Sequence, residues 1–269
     1  MTYNFTTLAW HSKIEEQAHR RSYAYGQVHP IVCPINCLPA FQLVREHTGE
    51  ETWRVSIVDI NGNERDISQS LEYYGAAYIN IGERYDNLVC NGAALGDDEV
   101  PEGIYYLHAT DGRGNEWFSD IFAATSDIEN YMKIEWWDES GDFEFDGGRI
   151  VYDGEYSNLL YVKSEIGKPE YTYEEEGEER DGVFFPSKQL STKTYRFSFI
   201  ANEAVCDALR FARLSELVFV TDTFGNQYRA DSFLMTPEWG EQGDLAQVTI
   251  EFTSQSVVKK LGLGYFRKK

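Results

Sequence analysis

The sequence lacks the features that would mark a membrane or secreted protein. None of its apolar runs approaches the ~20 residues that a bilayer-spanning helix needs. The N-terminal segment MTYNFTTLAWHSKIEEQ has neither a basic start nor a continuous apolar core, so it does not resemble a secretory signal. These absences predict synthesis in a cytoplasm, no readable export signal and no membrane partner.

Cysteine is scarce, and its placement is uninformative. Cys33, Cys37, Cys90 and Cys206 are the only four in 269 residues. Such thin usage favours reduced, buried thiols over a disulfide framework. The first two lie near His29, but two thiols without a second pair make a weak metal motif. The favoured alternative is a pair of small apolar side chains near a strand end.

Catalytic motifs are missing as well. The sequence has no G-x-S-x-G, no H-E-x-x-H and no glycine-rich phosphate loop, and its five histidines are scattered. A carboxylate pair for glycoside hydrolysis leaves little trace in a sequence, and nothing singles out a pair here. We therefore predict a protein that is not an enzyme, with no cofactor and no catalytic, cofactor-binding or metal-ligating residue.

One acidic run, from Asp142 to Gly147, resembles the first half of a calcium loop. Position twelve of that loop would be Asp153 instead of the usual glutamate. Phe143 and Phe145 alternate as they would in a strand, which a ligand loop does not need. A hairpin with outward acidic side chains is the favoured alternative, and binding of a divalent cation stays open.

Basic residues are fewer than acidic ones, and the net charge is unevenly distributed along the chain. The chain has 45 acidic and 24 basic residues, for a net charge of −21. Residues 1–125 carry −10 and residues 126–181 carry −13, whereas residues 182–269 carry +2. So acidic a chain does not hold nucleic acid by neutralising phosphates, but it can line a passage that repels DNA. Plain solubility is the alternative explanation of the charge.

Residues 1–125 show the pattern of short β-strands. Segments such as VHPIVCP, TWRVSIVDI and EWFSDIFAA are each predicted as one strand, and no internal repeat is evident by eye. Asn61-Gly62 and Asp111-Gly112 predict tight turns. About seven such strands predict an N-terminal antiparallel β-sandwich, preceded by an arm or short helix within residues 1–30.

Residues 126–269 predict a β-barrel or sandwich domain with one packed α-helix. Asn202 is a good N-cap for a helix at about 203–214, with Val205, Leu209 and Ala212 on its buried face. Phe224-Gly225-Asn226 predicts a hairpin turn, and DLAQVTIEF a closing strand. The acidic stretch at about 170–190 has no periodicity from Glu170 to Gly182 and is typical of an exposed loop or insertion.

The closing block resembles a type of bacteriophage structural protein. Its order of strand, helix, strand, hairpin and strand, with the capped helix between TYRFSFIAN and ELVFVTD, is similar to tail-tube and distal-tail proteins. The segments IEWWD, IGKPEYTYEEEGEERDGVFFPSKQ and DSFLMTPEWGEQGDLAQVTIEF are similar in style to virion-associated proteins of phages and prophages of Bacteroides-type bacteria. The resemblance covers roughly the second half of the chain and involves no signature motif.

The resemblance implies a ring of identical copies joined edge to edge, for which a hexamer is one candidate. The ring would belong to the tail, baseplate or neck of a virion, beside other tail or neck proteins, and DNA would pass through its lumen without specific binding. A related contractile injection machine is the open alternative. The implied subunit contacts are the acidic stretch and the basic C-terminal tail: Glu174, Glu175, Glu176, Glu178, Glu179, Lys259, Lys260, Arg267, Lys268 and Lys269.

A second function class is a glycan- or cell-surface-binding module built on the N-terminal sandwich. Aromatic faces suit stacking on sugars, and five tryptophans are available for such a platform: Trp53, Trp117, Trp136, Trp137 and Trp239. Packing in a core or a subunit interface is the commoner fate of tryptophan. A ring needs a defined oligomer and a shared β edge, whereas a lectin binds glycans as a monomer.

Overall fold

Short alternating segments make this chain a mainly β protein. The computed structural model describes residues 6–12, 29–46, 53–69, 76–80, 83–91, 100–111, 113–139, 142–145, 148–152, 157–240 and 245–260. The first ten strands in chain order are β1 (Trp10–Ser12), β2 (Ile31–Pro34), β3 (Ala40–Glu46), β4 (Arg54–Asp59), β5 (Glu64–Asp66), β6 (Ala76–Asn80), β7 (Glu83–Asn91), β8 (Gly103–Thr110), β9 (Glu116–Ser119) and β10 (Phe122–Thr125). The predicted N-terminal arm or helix lies mostly outside the described residues.

The rest of the chain adds ten strands, a short 3-10 helix (Ile128–Asn130) and one α-helix among the described residues. The strands are β11 (Met132–Trp137), β12 (Asp142–Phe145), β13 (Gly148–Tyr152), β14 (Asn158–Val162), β15 (Glu170–Arg180), β16 (Val183–Asn202), β17 (Leu217–Thr221), β18 (Gln227–Arg229), β19 (Ser232–Trp239) and β20 (Leu245–Lys260). The helix, α1 (Glu203–Ala212), follows β16 directly.

The strands form three sheets, which confirms the prediction of a mainly β fold with one packed helix. The largest sheet has 11 strands, and its main path is β1-β9-β8-β10-β2-β14-β11-β17-β18, with β4 and β5 attached beside β8. The second has the order β12-β13-β6-β7-β3, and the third has the order β15-β16-β20-β19. One pairing departs from the expected antiparallel pattern, because β2 and β10 run parallel.

The segment EWFSDIFAA forms two strands instead of the single one predicted. β9 ends at Ser119 and β10 begins at Phe122. Between them, the amide of Asp120 donates a hydrogen bond to the carbonyl of Ala9, 2.8 Å away. β9 can therefore pair with β1 on one side of the break, while β10 pairs with β2 on the other.

Two hydrophobic cores lie along the chain. One is built from buried residues between Leu8 and Ala124, and the other from buried residues between Met132 and Phe252. The largest sheet runs past both cores, and its two parts meet where β14 pairs with β2 at Tyr161 and Val32. The β12–β13 hairpin also connects the two halves of the chain, because β13 belongs to the second half and pairs with β6 of the first half.

The α-helix begins as the sequence predicts. Asn202 accepts a hydrogen bond on its side chain from the amide of Val205 at 3.0 Å, which is the expected N-cap. The helix ends at Ala212, two residues before the predicted end. Val205, Leu209 and Ala212 are buried as predicted, and they pack α1 against the sheet of β16, β19 and β20.

Three hairpins share a five-residue turn motif that the sequence analysis did not single out. The pattern Asp-x-x-Gly-Asn occurs at residues 59–63, 111–115 and 222–226. In each copy the residue before the aspartate pairs with the residue after the asparagine, in the registers Val58–Glu64, Thr110–Glu116 and Thr221–Gln227. The glycine of each motif, Gly62, Gly114 or Gly225, has φ between 81° and 84°. The amide of Gly114 donates to the carbonyl of Asp111, so a turn begins at Asp111 as predicted, while Gly112 lies outside the described residues.

The aspartate of each motif organises its turn. In the third copy, Asp222 Oδ1 accepts hydrogen bonds from the amides of Phe224 and Asn226, and Oδ2 accepts from the side-chain amide of Asn226. The corresponding bonds recur at Asp59 and Asp111. Burial raises the pKa of Asp222, but these hydrogen bonds outweigh it and hold the pKa below its usual value.

Substituting Asp222→Asn should make this turn less stable in a pH-dependent way. An amide NH₂ would replace Oδ2 and face the NH₂ of Asn226, so we expect a loss of roughly 1–2 kcal/mol at pH 7. A carboxylate whose pKa is lower in the folded chain than in the unfolded chain stabilises the fold at pH values above its unfolded-state pKa. This stabilisation is lost as the pH falls through the folded-state pKa. The difference from the parent should therefore shrink below about pH 4, as measured by urea unfolding. Asp207→Asn, on the exposed side of α1, is the control; a pH-independent difference for Asp222→Asn would contradict the assignment.

Candidate assembly surface

The third sheet continues beyond the core as a three-stranded arm, which we define as residues 170–194 and 255–260. β15 pairs with β16 along this whole length, and the end of β20 pairs with the other side of β16. Among residues 170–194 and 255–259 none is buried, whereas β16 alternates between buried and exposed from Tyr195 onward. At ~3.3 Å per residue, the arm extends about 40 Å past Tyr195.

The acidic stretch that was predicted as a loop without periodicity is therefore a regular strand. β15 shows no hydrophobic alternation because both of its faces are exposed. It joins β16 through Asp181 and Gly182, whose φ values of 53° and 77° are typical of a two-residue type I′ turn. This Asp-Gly pair is the sequence signal that could have revealed the hairpin.

A bulge divides the arm near its tip. The pairing shifts register after Glu176, and Ser187 is the extra residue on β16. The Ser187 hydroxyl donates to the carbonyl of Glu176 at 3.0 Å. A Cβ atom on Gly177 would lie 2.2 Å from the carbonyl oxygen of Phe185, so only glycine fits this position. The bulge changes the local twist and so sets the direction of the tip.

Large apolar side chains are exposed along the arm. Each of the following is at least 37% exposed, and Tyr173 reaches 75%: Tyr171, Tyr173, Val183, Phe184, Phe185, Val257 and Val258. Large exposed apolar side chains concentrated on one part of a protein commonly mark an interaction site.

The two arm tyrosines extend the face of the sheet that is buried nearer the core. Tyr171 lies opposite Lys193 on β16, with the lysine ammonium 6.0 Å from the ring centroid. Lys193 lies two residues before the buried Tyr195, so strand alternation places both on the same face. Tyr173, two residues further along β15, follows the same alternation. The core-facing side of the sheet thus continues onto the arm, where it is exposed.

The five predicted acidic contact residues, Glu174, Glu175, Glu176, Glu178 and Glu179, all lie on β15 and are exposed. Three of them bond along or across the arm: Glu176 accepts from Lys188 at 2.7 Å, Glu175 from Gln189 at 2.6 Å and Glu178 from Arg180 at 2.6 Å. The hydrogen bond that Lys188 donates to Glu176, together with the negative charge of Glu176, raises the pKa of Lys188. Exposed pairs of this kind add little stability, so the acids mainly determine the charge of the surface.

The structure places part of the predicted basic tail on the same arm. Lys259 and Lys260 belong to β20, where their backbones pair with Gln189 and Lys188. They therefore accompany the acidic strand of their own chain instead of forming a separate tail. The other basic candidates, Arg267, Lys268 and Lys269, lie outside the described residues.

Of the cysteine pair, Cys33 is buried and Cys37 is half-buried, and both are free thiols. Cys33 donates from its sulfur to the carbonyl of Cys37 at 3.4 Å. Burial raises the pKa of Cys33, assisted by the neighbouring sulfurs of Cys37 and Cys90, and burial alone raises the pKa of Cys37. Within the described ranges, no group of three or more histidine, cysteine, aspartate or glutamate side chains is arranged to hold a metal ion.

The half-calcium motif forms the alternative hairpin. β12 and β13 pair in register, with Asp142 opposite Val151 and Phe145 opposite Gly148. The alternation of acidic residues with Phe143 and Phe145 is thus that of a paired β-strand. Asp146, Gly147 and Asp153, which the calcium hypothesis also requires, lie outside the described residues.

The five candidate tryptophans are distributed over separate parts of the fold. Trp136 is 1% exposed in the second core, while Trp53 and Trp117 contact each other in the first half with ring centroids 5.2 Å apart. Trp137 stacks on a phenylalanine of β17, and Trp239 lies at the end of the edge strand β19. The strands β9 and β11, which carry Trp117 and Trp137, are five positions apart in the sheet. The five side chains do not form one stacking platform.

The described part of the chain thus has a long arm with exposed aromatic and acidic side chains. Among its helices, none is long and apolar enough to cross a bilayer. No protein-family model matches the chain, and no curated protein and no solved structure matches it significantly.

Proposed function

We propose that the chain is a non-enzymatic structural protein that assembles into a ring in the tail, baseplate or neck of a phage virion, with DNA passing through the lumen. The observation that carries this proposal is the arm. Its core-facing side continues about 40 Å beyond Tyr195, the first buried residue of β16, and its tyrosines are at least 55% exposed there. A second copy that covers this side would extend the hydrophobic core across the subunit boundary.

The edges of the third sheet support assembly in a defined register. β15 and β19 are its two edge strands. β15 carries a run of glutamates, and β19 contains Pro237; both features oppose indiscriminate strand pairing. A closed ring gives every copy the same neighbours and leaves no end exposed.

The other face of this sheet suits a wall that DNA passes without binding. Hydroxyl groups pair across it, as between Ser198 and Thr249 at 2.9 Å and between Ser232 and Thr253 at 2.7 Å. Arg196 on this face is paired with Glu251 at 2.6 Å, so its charge is compensated. In a chain with a net charge of −21, such a face offers little attraction to phosphates.

Shortening the arm tests the proposal. Glu170 and Thr194 face each other at the root of the arm, so residues 171–193, which include both tyrosines, can be replaced by Asn-Gly, which forms a two-residue turn between paired strands. We expect the full chain to form rings in negative-stain images and a defined oligomer in sedimentation velocity. The shortened chain should sediment as a monomer and retain its thermal unfolding transition, because no deleted residue is buried.

Phe224→Ser is the matched control for this experiment. Phe224 is 89% exposed, more than any aromatic residue of the arm, but it lies at the tip of the β17–β18 hairpin. We expect its loss to leave assembly unchanged. Rings formed by the shortened chain would refute the role of the arm, and a full chain that remains monomeric at every concentration would refute the proposed function.

A further inference from the structure

A groove of about 530 Å³ lies between the largest sheet and β16, beside the start of α1. β2 and β14 line one side and the segment from Ser198 to Asn202 lines the other. Its lining is mainly apolar and includes Ile31, Leu160, Phe199 and Val205. Pockets of ~300–1,000 Å³ hold drug-sized ligands, so this groove is large enough to receive an aromatic side chain.

The charge of the groove is opposite to that of the arm. Lys163 and His29 line it, and none of the described residues that line it is acidic, although 45 of the 269 residues of the chain are acids. Residues 170–190, by contrast, contain seven acids and two bases. Near the arm tip, Glu178 and Glu179 lie directly opposite Phe185 and Phe184. Aromatic and acidic groups thus occur together on the arm, while apolar and basic groups occur together in the groove.

The arm of a chain cannot reach its own groove. Ser198 lines the groove and Val183 begins the strand at the arm tip, and both belong to the continuous strand β16. Fifteen residues at ~3.3 Å each separate them by about 50 Å. An arm that occupies the groove must therefore come from another copy.

We propose that this groove receives Phe184 from the arm tip of a second copy, with Lys163 facing Glu179, which lies opposite Phe184 on the same face of the arm. The inference rests on the proposed function and names the contact that joins its subunits. The two surfaces are different, so each copy offers an arm to one neighbour and a groove to the other. A head-to-tail contact of this kind closes into a ring when the rotation between copies permits it.

Site-specific photo-crosslinking locates the contact. The photoreactive residue p-benzoyl-phenylalanine replaces Phe184 in the full chain, and ¹⁴N- and ¹⁵N-labelled chains are mixed so that mass spectrometry identifies links between copies. We expect mixed-isotope links from position 184 to the groove segments at 29–32, 160–163 and 198–202. The same photoreactive residue at Phe224 is the control and should give no links to these segments.

A charge exchange gives a second measurement. Lys163→Glu should raise the concentration required for half-maximal assembly about tenfold, and adding Glu179→Lys to the same chain should recover most of that loss. Lys168→Glu is the matched control, because Lys168 is also exposed but does not line the groove. Assembled chains whose links from position 184 fall elsewhere would overturn the groove assignment and leave the proposed function intact. A chain that neither assembles nor crosslinks would overturn both.

Discussion

Replacing Phe252 with alanine is expected to lower the free energy of unfolding by about 4 kcal/mol. Phe252 is fully buried, and its ring centroid lies 5.3 Å from that of Tyr195, 6.3 Å from Phe197 and 6.2 Å from Tyr228. The substitution removes the burial of one ring and leaves a cavity between the others. β20 is paired on both sides, with β16 and β19, so the backbone around this cavity cannot easily close it.

Urea unfolding followed by tryptophan fluorescence measures this loss. Phe224→Ala is the matched control: the same side chain is removed from a position that is 89% exposed, and the change should stay within about 0.5 kcal/mol. A loss below about 1 kcal/mol for Phe252→Ala would contradict the described packing. Equal losses of stability for the two variants would mean that the burial of the phenylalanine does not determine the size of the loss.

The position of Phe252 links the stability of the core to the arm. It pairs with Tyr195, the first buried residue of β16 after the arm. The aromatic cluster around these two residues therefore anchors the root of the arm. The arm itself adds few buried contacts, so we expect assembly to depend on this anchor more than on the exposed ion pairs of β15.

The sequence predicts those parts of the fold in which one face of each element is buried. Around Tyr195 and Phe197, polar residues alternate with aromatic ones because one side of β16 packs into the core, and the pattern shows it. The capped helix is predicted for the same reason, since its apolar residues share one face. Pairings between distant segments leave no such local signal in the sequence. The pairing of β13 with β6 could therefore not be predicted.

The arm and the groove escaped prediction for two different physical reasons. β15 is exposed on both faces, so its sequence has no hydrophobic period and only the Asp181-Gly182 turn indicates a hairpin. The acidic residues were nevertheless predicted as contact candidates, because the resemblance implies a ring and the acidic stretch could reach a neighbouring subunit. The groove combines residues as distant in sequence as His29 and Gln247, so no motif of the sequence contains it. The repeated Asp-x-x-Gly-Asn turn was readable in the sequence and was overlooked.

Substituting Gly177→Ala is expected to abolish assembly while leaving the core intact. The added Cβ would lie 2.2 Å from the carbonyl oxygen of Phe185 and 2.8 Å from the ring of Phe184. A ring can rotate away, but a paired backbone carbonyl cannot, so the two strands must separate beyond Glu176. The tip that carries both phenylalanines then loses its position. Because the arm contains no buried residue among 170–194, the free energy of unfolding should change by less than about 0.5 kcal/mol.

Hydrogen exchange of the arm amides measures the local effect, and sedimentation velocity measures the assembly. We expect the protection of the amides of β15 beyond Glu176 to fall at least about tenfold. The protection of amides in the second core, between Met132 and Phe252, should not change. Gly182→Asn is the control in the same arm: Gly182 has φ of 77°, which asparagine tolerates, and no atom lies within 4 Å of its added Cβ. That variant should keep both the protection and the assembly. Intact assembly of Gly177→Ala with lost protection would show that the arm tip is not the contact, whereas retained protection would refute the bulge geometry itself.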